Sequence, residues 1–110
     1  MGIIVFYAGN NGSGNIVQTV EDTPGQNFKP IGHDAIKSVK LYGVRPGCEL
    51  SLFDSPEGEM NDDFCIVNVK RNTPEYTVNT FERSYEDDVV VVSFIPENGS
   101  DKTISRIRIN

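Results

Sequence analysis

Apolar and polar residues alternate along several short segments of this chain, and Pro, Gly and Asn residues separate the segments. In the segment 38–42, Val39 and Leu41 fall on one side and Lys40 on the other. Cys65, Val67 and Val69 share one face in the same way. No segment keeps apolar residues at helical spacing over about ten residues. The pattern therefore predicts an all-β protein.

The predicted strands are short, and turn-forming residues bound each of them. They cover residues 3–7, 15–20, 38–42, 48–53, 64–70, 76–81, 89–94 and 103–109. The segments 21–32 and 82–88 are predicted loops, with Phe28 and Ile31 packing into the core from the first. The apolar run 89–94 indicates a strand buried on both faces or one in the middle of a sheet. About eight or nine strands favour two antiparallel sheets facing each other.

Length and charge limit the classes of function. At 110 residues the chain predicts a single domain with one modest core. A net charge of −6 with scattered basic residues disfavours nucleic acid as a partner. No apolar run approaches the roughly 18 residues that span a bilayer, so no membrane partner is expected. No signal-peptide pattern is visible, and cytoplasmic and secreted locations both stay open.

Two cysteines, Cys48 and Cys65, flank the turn 55–58. With a single His they are too few to complete a four-ligand zinc site. A tight hairpin around that turn would place them opposite each other, where a cross-strand disulfide can form. The alternative is a pair of reduced, half-buried thiols.

A polar hexapeptide that leads directly into an alternating strand occurs twice. The first cassette is residues 33–38 (HDAIKS), and the second is residues 101–106 (DKTISR). Each half also contains an aromatic residue at a strand end, Tyr7 or Phe53, with a Gly five residues later. Tyr7 and Ser38 are 31 positions apart, whereas Phe53 and Ser105 are 52 apart. The second half therefore carries an insertion of about 21 residues between positions 60 and 100.

These features resemble the Greek-key motif of the βγ-crystallin family, in which an aromatic strand end, a folded Gly-containing hairpin and a six-residue cassette precede the last strand. The resemblance implies one domain over residues 1–110, built as a two-sheet Greek-key sandwich. Motif 1 would cover about residues 1–44, and motif 2 about residues 47–110 with the insertion. Both cassettes depart from the family pattern of Asn/Asp, Asn/Asp, any, any, Ser/Thr, Ser.

The resemblance also implies calcium binding at one end of the domain. In the family each site takes a hydroxyl from one cassette, an Asp side chain and a carbonyl from the other, and a hairpin carbonyl. One such set is intact here. It joins the Ser105 hydroxyl to the Asp34 side chain and the Ala35 carbonyl, with a further carbonyl from Ala8 or Asp54.

The corresponding second set contains Lys37 in place of the hydroxyl and Lys102 in place of the carboxylate. An ammonium group cannot ligate a cation and repels one. The resemblance therefore implies one weak Ca²⁺ site, toward the millimolar end of the range for extracellular modules, and one disabled site. In an alternative, the two lysines replace the second ion as fixed positive charges. In another, Asp34 and Ser105 are ordinary turn formers.

The first functional hypothesis is a non-enzymatic, βγ-crystallin-like domain with calcium as a structural ion. The alternative is a metal-independent recognition protein, such as a protease inhibitor, toxin or adhesion module, that uses the segment 61–88; a protein partner is left open. An immunoglobulin-like sandwich ranks last because the chain lacks Trp. Adjacent His33 and Asp34 point apart and have no nucleophile, so no enzyme is expected. The acidic stretch 86–88 is a predicted solvated turn, and 61–63 is predicted to be a solvated turn or a gatekeeping charge before the apolar strand.

Overall fold

A computed structural model describes residues 2–30, 35–58, 62–97 and 104–110. In these ranges the chain forms ten β-strands, one 3₁₀ turn at Asn10–Gly12 and no α-helix, so the all-β prediction is confirmed. The strands are β1 (Ile3–Tyr7), β2 (Ile16–Glu21), β3 (Gln26–Phe28), β4 (Ser38–Tyr42), β5 (Glu49–Phe53), β6 (Phe64–Val69), β7 (Tyr76–Val78), β8 (Tyr85–Glu86), β9 (Val90–Ile95) and β10 (Arg106–Ile109). None of the described residues forms a helix that is long and apolar enough to cross a membrane.

The strands form two antiparallel sheets, as the sequence predicts. The small sheet has the order β2-β1-β4-β7, and the large sheet has the order β3-β10-β5-β6-β9-β8. Two short strands lie in the sheet of the other half of the chain. β3, from the first half, pairs with β10, and β7, from the second half, pairs with β4. The two halves are therefore interlocked, and neither sheet is made from one half alone.

The core lies between the sheets and consists of the apolar residues that alternate along the central strands. Val39 and Leu41 are buried and Lys40 is half-buried, as the pattern predicts. The fully buried side chains with the largest volume are Phe6, Ile4, Ile36, Leu50, Leu52, Ile107, Ile109, Val39, Val44, Val67, Val78 and Val90. Both halves contribute to this set, so a single core holds the described residues together.

Two predicted loops contain short edge strands, and these predictions are wrong. β3 lies within 21–32, where Phe28 pairs with Ile107 and packs against the core as expected. β8 lies within 82–88, where Tyr85 pairs with Val92. Strands of three and two residues carry too few residues to show an alternating pattern, and they form because a longer strand offers free backbone groups. Ile31 lies outside the described residues.

β9 lies inside the large sheet, between β6 and β8. Val90 and Val92 are buried, whereas Val91 and Ser93 are half-buried. Of the two interpretations of the run 89–94, the mid-sheet position is confirmed and burial on both faces is wrong. Two of the outward positions, Val91 and Ile95, are apolar although only one face packs on the core.

The register of β5 and β6 rules out a disulfide between the two cysteines. Cys65 lies opposite Leu52, and the Cys48 carbonyl accepts a hydrogen bond from the Val69 amide at 2.9 Å. Four positions of ladder separate them, which is about 13 Å at the rise of a β-strand. Both thiols are unpaired and buried. The reduced-thiol alternative therefore holds, although both thiols are fully buried rather than half-buried. Burial raises the pKa of Cys65 to about 12, so this thiol is poorly nucleophilic.

The joint between the halves, residues 44–47, is held by a buried carboxylate. Asp22 is 4 % exposed, and its Oδ2 accepts a hydrogen bond from the Arg45 amide at 2.9 Å. Arg45 Nε donates to the Asp22 carbonyl at 3.0 Å. This joint adjoins the start of β5, and the cassettes adjoin the opposite ends of the central strands.

Candidate functional site

Each cassette is hydrogen-bonded in the same way to the aromatic strand end of its own half. The Lys37 amide donates to the Tyr7 carbonyl at 2.9 Å, and the Ser105 amide donates to the Phe53 carbonyl at 2.7 Å. Lys37 and Ser105 are the fifth residues of their cassettes, and Tyr7 and Phe53 are the aromatic strand ends. The repeat seen in the sequence is therefore also a repeat of backbone hydrogen bonding.

The hairpins that follow the aromatic residues also begin alike. The Ala8 amide donates to the Asn15 carbonyl at 2.9 Å, and the Asp54 amide donates to the Asp63 carbonyl at 3.0 Å. Ala8 thus lies next to the attachment point of the first cassette, and Asp54 next to that of the second.

These contacts show which of the predicted site residues lie together. Ser105 adjoins the hairpin that contains Asp54, whereas Lys37 adjoins the hairpin that contains Ala8. Ala35 is half-buried, two positions before Lys37. Asp34 lies outside the described residues, and so do His33 and Lys102. Of the predicted calcium-site residues, the structure therefore describes Ala8, Ala35, Asp54 and Ser105.

A cavity of about 50 Å³ lies at this end, between the two sheets. Both cassettes reach it, through Ile36 and Lys37 of the first and Ile104 of the second. The remaining lining residues are Asp54, Asp63, Phe64, Cys65, Thr80, Phe81, Glu82 and Phe94. Pockets for organic ligands typically measure about 300–1,000 Å³, so this cavity suits water or a small ion rather than a substrate.

Three acidic side chains and one basic side chain border the cavity. Asp54 and Asp63 come directly beyond the register pair Phe53–Phe64, so two carboxylate-bearing residues face each other just past the paired ends of β5 and β6. Glu82 and Lys37 complete the charged set. In the described ranges, however, no three His, Cys, Asp or Glu side chains are grouped closely enough to hold a metal. The acidic residues therefore favour a cation electrostatically without forming a complete ligand cage.

Asp63 was predicted to lie in a solvated turn, and this is wrong. It is 1 % exposed, and its Oδ1 accepts a hydrogen bond from the Glu97 amide at 2.7 Å. A signal was present in the sequence, because Asp63 continues the inward face of Cys65 and Val67 by one step of two residues. The stretch 86–88 is exposed, as predicted.

The tips of the two hairpins fold back over the sheets. Asn11 and Gly12 have φ values of 62° and 66°, and Gly58 has a φ of 75°. The Ser38 hydroxyl donates to the Gly9 carbonyl at 2.6 Å and accepts from the Gly12 amide at 2.8 Å. Left-handed backbone at these positions lets the chain reverse and brings the tip within reach of the strand that follows the cassette.

A tyrosine–carboxylate network fastens β8 and β9 to the rest of the domain. The hydroxyls of Tyr76 and Tyr85 are 2.8 Å apart, and the Tyr76 hydroxyl also donates to the Asp87 carboxylate. Burial raises the pKa of Tyr76, and its bonds to Asp87 and Tyr85 add to the rise. Asp87 Oδ1 accepts from the amides of Val89 and Val90. The described part of the insertion is thus tied to β7.

Comparison with known proteins gives no family model, no curated protein and no solved structure that matches this chain.

Proposed function

We propose that this chain is a non-enzymatic, βγ-crystallin-like domain of two Greek-key motifs that binds one Ca²⁺ weakly. The ion would join the two cassettes and stabilise the fold. The observation that carries the proposal is the equivalence of the cassettes, each of which donates the amide of its fifth residue to an aromatic strand end. Two chain segments held alike at one end of a sandwich can contribute ligands to a shared ion.

The strand exchange supports the Greek-key assignment. In each half the first, second and last strands share one sheet, and a short strand crosses to the other sheet. The inserted strands β8 and β9 lie beyond β6 and leave this arrangement intact.

The proposed ligands are the Ser105 hydroxyl, the Asp34 side chain, the Ala35 carbonyl and a hairpin carbonyl. We assign the hairpin carbonyl to Asp54 rather than Ala8, because the Ser105 amide is bonded to Phe53, directly before Asp54. All these donors are oxygens, which are the ligands calcium prefers. Nearby Asp63 adds negative charge.

Calcium titration by calorimetry, with melting in calcium and in chelator, tests the proposal. We expect one ion per chain. With a Kd of about 1 mM, 10 mM Ca²⁺ stabilises the fold by about 1.4 kcal/mol, because only the folded chain assembles the ligands. The double variant Asp34→Ala, Ser105→Ala should lose this response. The exposed-acid variant Asp88→Ala, as a control, should retain it.

Two results would contradict the calcium proposal. One is an unchanged melting temperature in 10 mM Ca²⁺, and the other is a full calcium response in the double variant. A stoichiometry of two would show that Lys37 and Lys102 do not disable the second site.

The alternative, a recognition module, is favoured by the network that orders β8 and β9. The exposed acidic residues of this region are Glu82, Glu86, Asp87 and Asp88. Deleting residues 61–88 would remove β6 from the core, so the test uses surface changes. Loss of a protein partner in Asp88→Lys, a change that lies away from the cavity, with an unchanged calcium response, would support recognition by this surface.

A further inference from the structure

Strand β2 forms an open edge of the small sheet. Its strand neighbour is β1, and it lies at the end of the strand order. It has six residues, whereas the edge strands β3, β7 and β8 have three, three and two. In an antiparallel pair, alternate residues direct their backbone N–H and C=O groups away from the partner. The Glu21 carbonyl already accepts a hydrogen bond from Gln26 Nε2 at 2.8 Å, so residues 16–20 form the open part of this edge. That part is still longer than each of the other three edge strands.

The hairpin that contains β2 carries one charged residue, Glu21, at the very end of the strand. The first 20 residues include no Asp, Glu, Lys or Arg, although charged residues make up 24 % of the chain. Natural edge strands are usually protected by Lys, Pro or a charge directed inward. In β2 the first such residue is Glu21, at the end of the strand.

The apolar residues of β2 also suit a covering strand. Ile16 is 59 % exposed and is the one exposed large hydrophobic residue in the described ranges. Val17 and Val20 are half-buried and pack against the core from the edge. A second strand beside β2 would remove apolar surface of all three from water.

We propose that β2 pairs antiparallel with β2 of a second copy of this chain, about a twofold axis. The two small sheets then form one continuous sheet of twice four strands. Pairing of a strand with itself about a twofold axis is the self-complementary contact of a symmetric dimer.

The position of charge along β2 makes a second copy a suitable partner in spite of the net charge. Each chain carries a net charge of −6, so two copies repel each other over most of their surfaces. Antiparallel pairing about a twofold axis places the Glu21 residues of the two copies at opposite ends of the paired strands, so the contact itself brings no like charges together. A charged peptide would meet only Glu21, at the end of the strand, because the rest of β2 has no charged side chain.

The expected dimer is weak. One pair of six-residue strands buries less than the roughly 1,200 Å² of a standard stable interface. We expect a dissociation constant of about 100 μM, which makes the chain monomeric in dilute solution and dimeric when concentrated.

Sedimentation velocity at chain concentrations from about 10 μM to about 1 mM, which lie on either side of the expected dissociation constant, tests the pairing. Thr19 is exposed and lies opposite Val5 in the ladder, so Thr19→Lys places an ammonium on the edge without entering the core. We expect this variant to dimerise at least about tenfold more weakly, because like charges meet across the axis. Asn79→Lys, which adds the same charge at an exposed site outside β2, should dimerise as the parent does.

Amide hydrogen exchange of the unmodified chain gives an independent measurement and does not depend on the folding of a variant. Alternate amides of β2 should exchange several-fold more slowly at 1 mM than at 10 μM. A monomer throughout this range would overturn the proposal. So would a dimer that persists in Thr19→Lys, or one whose β2 exchange is independent of concentration.

Discussion

Ser38 and Arg106 occupy equivalent positions in the two halves, yet they hold the adjoining hairpins by different chemistry. Each is the last residue of its cassette and lies opposite the aromatic strand end, Tyr7 or Phe53. Ser38 is 0 % exposed and bonds two backbone groups of its hairpin. Arg106 is half-buried, and its Nε donates to the Pro56 carbonyl at 2.8 Å.

The comparison shows that the backbone sets the position of each cassette, whereas the side chain sets how firmly the hairpin is held. The ladder fixes where the cassette meets the strand, and this is the same in both halves. A small hydroxyl both donates and accepts and can be buried, whereas a guanidinium only donates and keeps contact with water. The two hairpins are thus held at equivalent points with unequal energies.

Truncation of the equivalent core residues Phe6 and Leu52 should have the largest effect. Each precedes its aromatic strand end and is 0 % exposed. We expect losses of about 4 kcal/mol for Phe6→Ala and about 3 kcal/mol for Leu52→Ala, from lost burial and the cavity left behind. Urea unfolding measures both, with exposed Thr19→Ala as the control. A loss below about 1 kcal/mol in one half would contradict a single shared core.

The next largest effect should come from the residues that hold the hairpins. Ser38→Ala leaves the Gly9 carbonyl and the Gly12 amide without their hydroxyl partner, so we expect a loss of about 2 kcal/mol. Arg106→Ala removes two exposed bonds, to the Pro56 carbonyl and to Asn27 Oδ1, and should cost less than about 1 kcal/mol because water replaces them. Urea unfolding of the two variants compares them directly. Equal losses would show that the two attachments are energetically alike.

Restoring the disabled calcium site would make the two cassettes more alike. In the proposed scheme, Lys37→Thr with Lys102→Asp supplies the missing hydroxyl and carboxylate. We expect calorimetry to find two ions per chain and 10 mM Ca²⁺ to add about 1.4 kcal/mol for a second site of about 1 mM affinity. Lys29→Thr with Arg71→Asp makes the same change of charge elsewhere and should leave one ion.

The smallest expected effect is an acid sensitivity confined to the second half. Burial acts to raise the pKa of Asp87, but hydrogen bonds from Tyr76 and the amides of Val90 and Val89, with the charge of Lys70, outweigh it and lower the pKa. A lowered folded-state pKa stabilises the fold above the ordinary value near 3.8, and this is lost as the pH falls through the folded-state pKa.

Melting between about pH 5 and pH 2.5 tests this, since ordinary Asp titrates near pH 4. The parent should lose more stability than Asp87→Asn over this range. Because Asp87 is exposed, the difference should be below about 1 kcal/mol. Identical pH profiles would show that the network contributes no pH dependence.

The sequence predicts the long strands well because their alternating side chains report a buried face. β1 and β4 agree residue for residue with the predicted segments. β3 and β8 could not be found, since their pairing depends on β10 and β9, which are distant in sequence or separated by a polar turn. The burial of Asp63 was missed because carboxylates beside turns are usually solvated.

Part of the candidate site could also be predicted from the sequence. The spacing of the cassettes identified Ser105 and Lys37 as equivalent, and the backbone bonds agree. Which hairpin adjoins which cassette stayed open in the sequence, since Ala8 and Asp54 have the same relation to an aromatic strand end. The sequence also could not show that one cavity is lined by Asp54, Asp63 and Glu82, because these residues come from separate segments of the chain.

Local pattern alone therefore determined the all-β class, the central strands and the existence of two cassettes, since each depends on residues close together in the chain. Tertiary structure decided the exchange of β3 and β7, the separation of Cys48 from Cys65 and the acidic cavity. These depend on register, and a register is fixed when both sheets bury their apolar faces together.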